Sequence, residues 1–434
     1  MGILILVLLL ALETFFLVWS LKTRTPHREE KAIVRIGLLA LFVVSVATGL
    51  LDWSFRFAAL SAVLLIQAVS GIVVLVRKRE ATYRTRKTVT RFAGNSLAFV
   101  FALSLAIVCP PFEMPVPTGD YAIGTARHTW TDSTRVDPFA TDGSNRSLTV
   151  EFWYPEQADE PCPLVVFSHG AFGFSGSNLS TFRELASHGF VVASIGHTYQ
   201  AFFTRDTSGT MTFADAAFLQ RASELNGTHE TGNTKDTYRT TQEWMQLRTA
   251  DAHFVLDTLL AQSLQTPTDS LFSRIDFDKI GMFGHSLGGA TAAQLGRERT
   301  DIDAVIVLDG TMLGEEVDFK DGAVVLNEEP YPVPLLNVYA QDHYESSLAF
   351  DGEGYDNFHA TRGAMEAYET VYLGAGHLNF TDLPLFSPLL AEKLGVGTTD
   401  ARVCIETVNG IVVSFFDSIL QDTGAPAIEK EYGK

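Results

Sequence analysis

Cysteine is scarce. The chain has three in 434 residues, too few for the disulfide framework of a small secreted scaffold. Charge is also scarce, at 19% of residues, against roughly 25% in an ordinary soluble domain. Cations are outnumbered, with 32 Lys and Arg against 51 Asp and Glu, for a net charge of −19. A nucleic-acid binder is expected to be basic, so that class of partner is excluded. Apolar residues reach 46%, which excludes a disordered chain, since disorder joins low hydrophobicity to high net charge. No repeat at a fixed period of about 20–50 residues is visible, so a solenoid or propeller is not expected.

What is present is unevenly distributed. Residues 1–110 carry 13 basic and 5 acidic side chains, a net of +8, which leaves −27 for the rest. Four apolar runs fill this basic front: Ile3 to Leu21, about Ile33 to Leu51, Phe57 to Val76, and roughly Phe92 to Val108. Each approaches the ~20 residues that cross ~30 Å of hydrocarbon as a helix. Lys22, Arg24, Arg28 and Lys31 separate the first two runs, and a second basic cluster, Arg77 to Arg91, separates the last two. The positive-inside rule places both clusters in the cytoplasm and everything after Val108 outside it. The chain is therefore expected to be integral to the plasma membrane, multi-pass, with its larger part on the non-cytoplasmic side. Run one as a cleaved signal peptide is the alternative, but no basic segment precedes it. Glu13, inside run one, is expected to face the helix bundle or to be protonated, with Arg35 as the nearby basic residue.

After a linker at 111–120 the texture changes to short apolar runs divided by turn residues. Ser147 to Tyr154, Pro163 to Phe167, Val191 to Ile195, Lys279 to Phe283, Ala304 to Leu308, Pro334 to Tyr339 and Glu369 to Leu373 read as strands. Asn178 to His188, Thr240 to Leu260, Gly289 to Arg297 and Thr407 to Leu420 read as helices. This alternation predicts an α/β fold, a mostly parallel sheet with helices on both faces. The predicted organisation is a transmembrane region over 1–110, a catalytic domain over 121–425 and a tail over 426–434. Tyr199 to Tyr238, polar and dotted with Phe, breaks the rhythm and is a candidate lid. So is the acidic stretch Leu313 to Pro330.

The sharpest chemical signal is Gly284-His285-Ser286-Leu287-Gly288, between a strand and an Ala-rich helix. That context is the one a G-x-S-x-G nucleophile elbow needs, because the Ser must sit on a tight turn whose flanking positions have no room for side chains. Ser286 is the candidate nucleophile. Ser168-His169-Gly170-Ala171 follows an earlier strand, where hydrolases of this architecture place an oxyanion turn. Backbone N–H groups of Ala171 and Leu287 are the expected oxyanion donors, with His169 and Gly170 supporting the turn. The base should follow the last strands. His377, in the Gly-rich turn after Glu369 to Leu373, fits that position better than His343 or His359. For the acid, Asp309 and Asp342 both stand at strand ends, and spacing does not choose between them.

Taken in order, Pro163-Leu-Val-Val-Phe-Ser-His-Gly170, Leu185-Ala-Ser-His-Gly-Phe-Val-Val-Ala193, Gly284-His-Ser-Leu-Gly-Gly-Ala-Thr291, Leu308-Asp-Gly310 and Gly376-His-Leu-Asn-Phe-Thr-Asp382 resemble the plasma-type platelet-activating-factor acetylhydrolase family of α/β-hydrolases, over about Tyr121 to Ser418. The resemblance implies Asp309 as the acid, because the family's acid lies in a Leu-Asp motif soon after the elbow. It also implies the α/β-hydrolase fold, no metal and no cofactor, and hydrolysis of short sn-2 acyl esters of phospholipids. Two features depart from the pattern. Gly196-His197-Thr198 lacks an acidic residue before the His, and the family's secreted members lack the four spans. A carboxylesterase or polyester hydrolase is the alternative reading, and an inactive hydrolase-fold binding module is a third. Cys162 and Cys404 are candidates to pair or to stay as buried thiols. Asn145, Asn178, Asn226 and Asn379 fit the glycosylation pattern, although Asn379 lies too near His377 for modification to be expected.

Overall fold

The computed structural model describes residues 1–78, 82–226, 234–265, 271–350 and 352–433. Residues 79–81 of the second basic cluster, 227–233 of the first candidate lid (with His229 and the Gly-Thr of the Asn226 motif), and 266–270, 351 and 434 lie outside them. The chain divides into two compact units, Met1–Glu113 with Phe386–Leu390, and Met114–Leu385 with Ala391–Lys434.

In the first unit the four apolar runs become four helices: α1 Gly2–Thr23, α2 Arg28–Ala47, α3 Ala58–Arg77 and α4 Thr85–Val108. α1 packs along α4 and α2 along α3. α1, α4 and the segment Phe55–Arg77 that contains α3 are long and apolar enough to cross a membrane. α2 carries Arg28, Glu29, Glu30, Lys31 and Arg35 at its start, so its apolar part is shorter. Glu13 is buried and faces the bundle. Its carboxylate accepts from Arg35 Nη2 at 3.2 Å and from Asn95 Nδ2 at 3.1 Å. Its neutralising partner therefore comes from the charged edge of run two, and Asn95, the polar residue of run four, completes the site.

In the second unit nine strands form one sheet: β1 Ile123–Val136, β2 Asn145–Pro155, β3 Cys162–Ser168, β4 Val191–Gly196, β7 Ile275–His285, β8 Ala304–Leu308, β11 Leu335–Ala340, β12 Ala367–Tyr372 and β13 Glu431–Tyr432, in the order β1-β2-β4-β3-β7-β8-β11-β12-β13. β1 and β2 are antiparallel, and from β4 to β13 all pairings are parallel. Two hairpins stand apart from this sheet, β5 Phe203–Arg205 with β6 Met211–Phe213, and β9 Glu316–Lys320 with β10 Ala323–Leu326.

The continuous apolar run of β3 is explained by burial on both faces. Leu164 and Val166 enter one core, and Val165 and Phe167 the other. α7 (Lys235–Gln265) and α8 (Leu287–Glu298) cover the first face through Ala252, Val255, Leu259 and Leu295. α5 (Leu179–Ser187) and the closing helix Ala401–Leu420 cover the second through Phe182, Leu185, Val408, Val412 and Phe416. The closing helix is apolar enough to cross a membrane, but 56% of its most apolar window is already buried against protein. It serves as a core helix. Cys162 and Cys404 belong to the two opposite cores, so the sheet separates them, and all three thiols are free and buried. Asn178 and Asn379 are also buried, which removes them as acceptors of glycans.

Several elements differ from the sequence expectation. The first candidate lid holds the β5–β6 hairpin and the helix α6 (Ala216–Asn226). These elements are too short for periodicity to reveal. The second holds the β9–β10 hairpin, turned by Asp321-Gly322 at φ 54° and 88°, the dipeptide that such turns favour. Residues 426–434, expected as a tail, contribute the edge strand β13.

Candidate active site

The candidate residues gather at the carboxyl ends of parallel strands. β7 ends at His285, and α8 starts at Leu287. Between them Ser286 adopts φ 56°, ψ −128°, a conformation that costs a non-glycine residue about 1–3 kcal/mol. It persists because Ser286 is held on both sides. Its N–H donates to Leu308 O at 3.0 Å, and its carbonyl accepts from Gly289 N at 2.8 Å. The flanking glycines are steric requirements. A Cβ on Gly284 would stand 2.2 Å from the Gly288 carbonyl carbon, and one on Gly288 would stand 1.9 Å from Ser168 O. Ser286 is left half-exposed between buried neighbours.

His377 opens a short helical turn soon after β12 ends. Asn379 Oδ1 holds that turn by accepting from Gly376 N at 2.9 Å and Gly397 N at 2.7 Å. The ring Nδ1 of His377 donates to Asp309 Oδ2 at 2.6 Å. Asp309 follows β8 at φ 50° and is 1% exposed. Its other oxygen accepts from Ala340 N at 2.7 Å and from His343 Nδ1 at 3.1 Å. Burial alone would raise the Asp309 pKa. His343 and His377 outweigh it and hold the carboxyl well below the usual range. The second candidate acid, Asp342, is exposed at the start of α9 (Gln341–Phe350), where its carboxylate accepts from His343 N. The geometry brings Asp309 and His377 together and leaves Asp342 outside the pair.

Three other histidines also have definite places. His285 Nε2 donates to the His377 carbonyl at 2.9 Å. Burial and then the nearby His377 push its pKa down to about 3, so it is neutral and supports the His377 turn. His359, on α10 (Asp356–Gly363), meets Asn327 O at 3.0 Å. His343 is the residue the sequence placed one strand too early to be the base. It sits on the same carboxylate as His377. Strand-end position identified it as a candidate, but nothing in its spacing indicated that two imidazoles share one acid. Asp309, His343 and His377 also offer three metal-type ligand atoms within 4.8 Å, with both Nδ1 atoms engaged in hydrogen bonds to the carboxylate.

His343 gives a pH prediction. Burial works to lower its pKa, and Asp309 outweighs burial and raises it above 6.5. The stabilisation from this pair is complete below the unfolded pKa and fades as pH rises through the folded one. His343→Gln is expected to melt a few degrees below wild type at about pH 6, and the gap should narrow by about pH 9. A gap that widens with pH contradicts the assignment.

The expected oxyanion donors belong to two turns that meet at Ser286, since a Cβ on Gly170 would touch Ser286 Cβ. Leu287 opens α8, and Ala171 follows the turn after β3. Among the described residues neither N–H is taken by another group. Both side chains join an apolar cluster with Phe218 of α6, Met245 of α7 and Ala290, so the first insertion packs beside the two donor residues. Gly170 lies directly against the elbow, and a Cβ there would meet Ser286 Cβ at 3.2 Å. His169 is fully buried, with burial holding its pKa well below 6.5.

Residues 113–425 match the family described as platelet-activating factor acetylhydrolase, isoform II. The chain is 26% identical over 280 residues to a platelet-activating factor acetylhydrolase of Cavia porcellus, covering 61% of this chain and 59% of that protein. It is 32% identical over 230 residues to the one of Canis lupus familiaris, covering 47% and 49%. A cutinase of Thermobifida fusca is 24% identical over 242 residues, covering 55% and 60%. The chain thus spans about half to three fifths of the length of these relatives. Among solved structures, a ferulic acid esterase from Streptomyces cinnamoneus superposes with a TM-score of 0.56 at 23% identity, over 72% of this chain and 94% of that one, a likeness of fold. With the match extending over more than two thirds of its length, the chain belongs to the platelet-activating factor acetylhydrolase, isoform II, family.

Proposed function

We propose that the protein is a serine hydrolase of carboxylic esters, with Ser286, His377 and Asp309 as its catalytic residues. The observation that carries this reading is the 2.6 Å contact between His377 Nδ1 and a buried Asp309, beside a Ser held at φ 56° on a strand-to-helix turn. In the proposed sequence His377 Nε2 takes the Ser286 proton as Oγ attacks the ester carbonyl. Asp309 keeps the imidazole in the tautomer that can accept it and stabilises the imidazolium. The N–H groups of Ala171 and Leu287 receive the charge of the tetrahedral oxyanion. The alcohol leaves with the proton from His377, which then activates water to release the acid from Ser286.

The finer reading is a phospholipid with a short sn-2 acyl chain. Family membership supports it, as do the membrane-length helices of the first unit. Phe172, Phe202, Met211 and Phe213 support it further, standing exposed on the oxyanion turn and the adjoining hairpin, where an apolar substrate would approach. The loop charges favour a multi-pass plasma-membrane protein with this site on the non-cytoplasmic side. The second reading, a carboxylesterase or polyester hydrolase, is favoured by the similarity to a protein named cutinase.

A panel of p-nitrophenyl acetate to palmitate beside a short-sn-2-chain phospholipid, with Ser286→Ala as blank, tests the choice. The phospholipid and the acetate are expected to turn over, with rate falling as the acyl chain lengthens. Turnover of the p-nitrophenyl esters without the phospholipid rejects the lipid reading and retains the esterase.

A further inference from the structure

Beneath the oxyanion turn, Ser168, His197 and Asp251 repeat the composition of a catalytic triad. Ser168 Oγ donates to His197 Nε2 at 3.0 Å, and His197 Nδ1 donates to Asp251 Oδ2 at 3.0 Å. All three are fully buried, so no substrate reaches Ser168. Asp251 is further gripped by Arg146 Nε and Nη2 at 2.7 and 2.6 Å and by Arg135 Nη1 at 3.0 Å. Burial, then Arg248, push the His197 pKa down to about 4 despite Asp251. A neutral ring agrees with its accepting from Ser168. The arrangement is a brace under β3 and β4.

One guanidinium in this layer differs from the rest. Arg248, on α7, is fully buried and makes no ion pair among the described residues. Its N–H groups go to uncharged oxygens instead. Nε donates to Gln200 Oε1 at 2.9 Å, Nη1 to His169 O, and Nη2 to Gln200 O at 3.3 Å and Gly170 O at 3.5 Å. Burial pushes its pKa down to about 9, with Asp251 opposing, so it is cationic at neutral pH. A buried cation without a carboxylate is expensive, and here it is offset by the carbonyls it serves.

The carbonyls that Arg248 holds belong to the oxyanion turn. Gly170 O accepts from His169 Nδ1 at 2.7 Å and from Gly173 N at 3.1 Å as well as from Arg248. The peptide bond is trans and planar, so its C=O and the following N–H point in opposite directions. Fixing Gly170 O toward α7 therefore aims Ala171 N–H away from α7, in a turn that lies against the elbow, since a Cβ on Gly170 would meet Ser286 Cβ at 3.2 Å. A cation on the carbonyl also polarises the peptide and makes that N–H a stronger donor.

We propose that Arg248 is a positioning residue of the oxyanion hole: its buried guanidinium clamps the His169 and Gly170 carbonyls and so aims the Ala171 N–H at the oxyanion. The proposal rests on the ester-hydrolase reading and predicts a defect confined to the transition state. Arg248→Lys keeps the charge and loses the fork. On p-nitrophenyl acetate, its kcat is expected to fall about 10–100-fold with KM within about twofold. Affinity for a short-chain trifluoromethyl ketone, whose Ser286 adduct places an oxyanion in the hole, should weaken by the same factor. Rates are referred to sites titrated to completion with a fluorophosphonate, so misfolded protein does not enter. His169→Gln removes the other side-chain donor to Gly170 O while keeping an acceptor for His197 N, and should give the same split if Arg248→Lys does not fold. A folded variant with wild-type kcat and ketone affinity overturns the proposal, as does a loss of kcat that the ketone does not share. Turnover retained by Ser286→Ala in the same assay is a different result and rejects Ser286 as the nucleophile, the assignment on which the proposal rests.

Discussion

Ser286→Ala is expected to abolish fluorophosphonate labelling and to lower kcat on p-nitrophenyl acetate by about 10⁴–10⁶-fold, in a protein that still folds. The fold is expected to survive because the elbow is built by backbone: Leu308 O takes the Ser286 N–H, and the Gly284 and Gly288 contacts do not involve the hydroxyl. The same backbone predicts a second, separable effect. At φ 56° and ψ −128° Ala has the same Cβ clash as Ser, whereas Gly has none. Ser286→Gly should be as inactive as Ser286→Ala yet more stable by about 1 kcal/mol. Activity and stability therefore oppose each other at this one position. Labelling that persists in Ser286→Ala would place the nucleophile elsewhere. Equal melting temperatures for the two variants would show that the turn stores no strain.

Much of this site was legible in the sequence because its requirements are steric and local. Glycines at 284 and 288 announce the elbow, and Gly374 and Gly376 announce a turn that carries His377. The parallel sheet was legible because strands buried on both faces read as unbroken apolar runs, as in Leu164 to Phe167. What stayed hidden depends on contacts between distant residues. The choice of Asp309 over Asp342 needed the family resemblance, since both stand at strand ends, and only the fold shows that Asp342 faces solvent. The sharing of Asp309 by His343 and His377 joins three separate strand ends. Arg248 sits in a long helix among other charges, with no local pattern to mark it as the residue that reaches the oxyanion turn. The polar edge strand β1 and the β5–β6 hairpin were missed because neither presents a run of apolar residues.

Asp309→Asn is expected to lower kcat by about 10³–10⁴-fold with little change in KM, while Asp342→Asn stays within about twofold of wild type. The difference follows from which donors each carboxylate serves. Ala340 N–H, 2.7 Å from Oδ1, is a backbone donor that cannot become an acceptor. It fixes the oxygen of the introduced amide at the Oδ1 position and leaves the NH₂ at the Oδ2 position, facing His377 Nδ1 at 2.6 Å. Two donors cannot share that contact, so His377 is driven to the tautomer with its proton on Nε2. That atom must be free to take the Ser286 proton, and in the amide variant it is not. The nucleophile remains, so fluorophosphonate labelling should be slowed by a comparable factor and still reach completion, which separates this loss from that of Ser286→Ala. Asp342 accepts from the His343 N–H at the exposed start of α9 and has no part in the tautomer of His377. A large loss in Asp342→Asn with a mild one in Asp309→Asn would reverse the assignment of the acid.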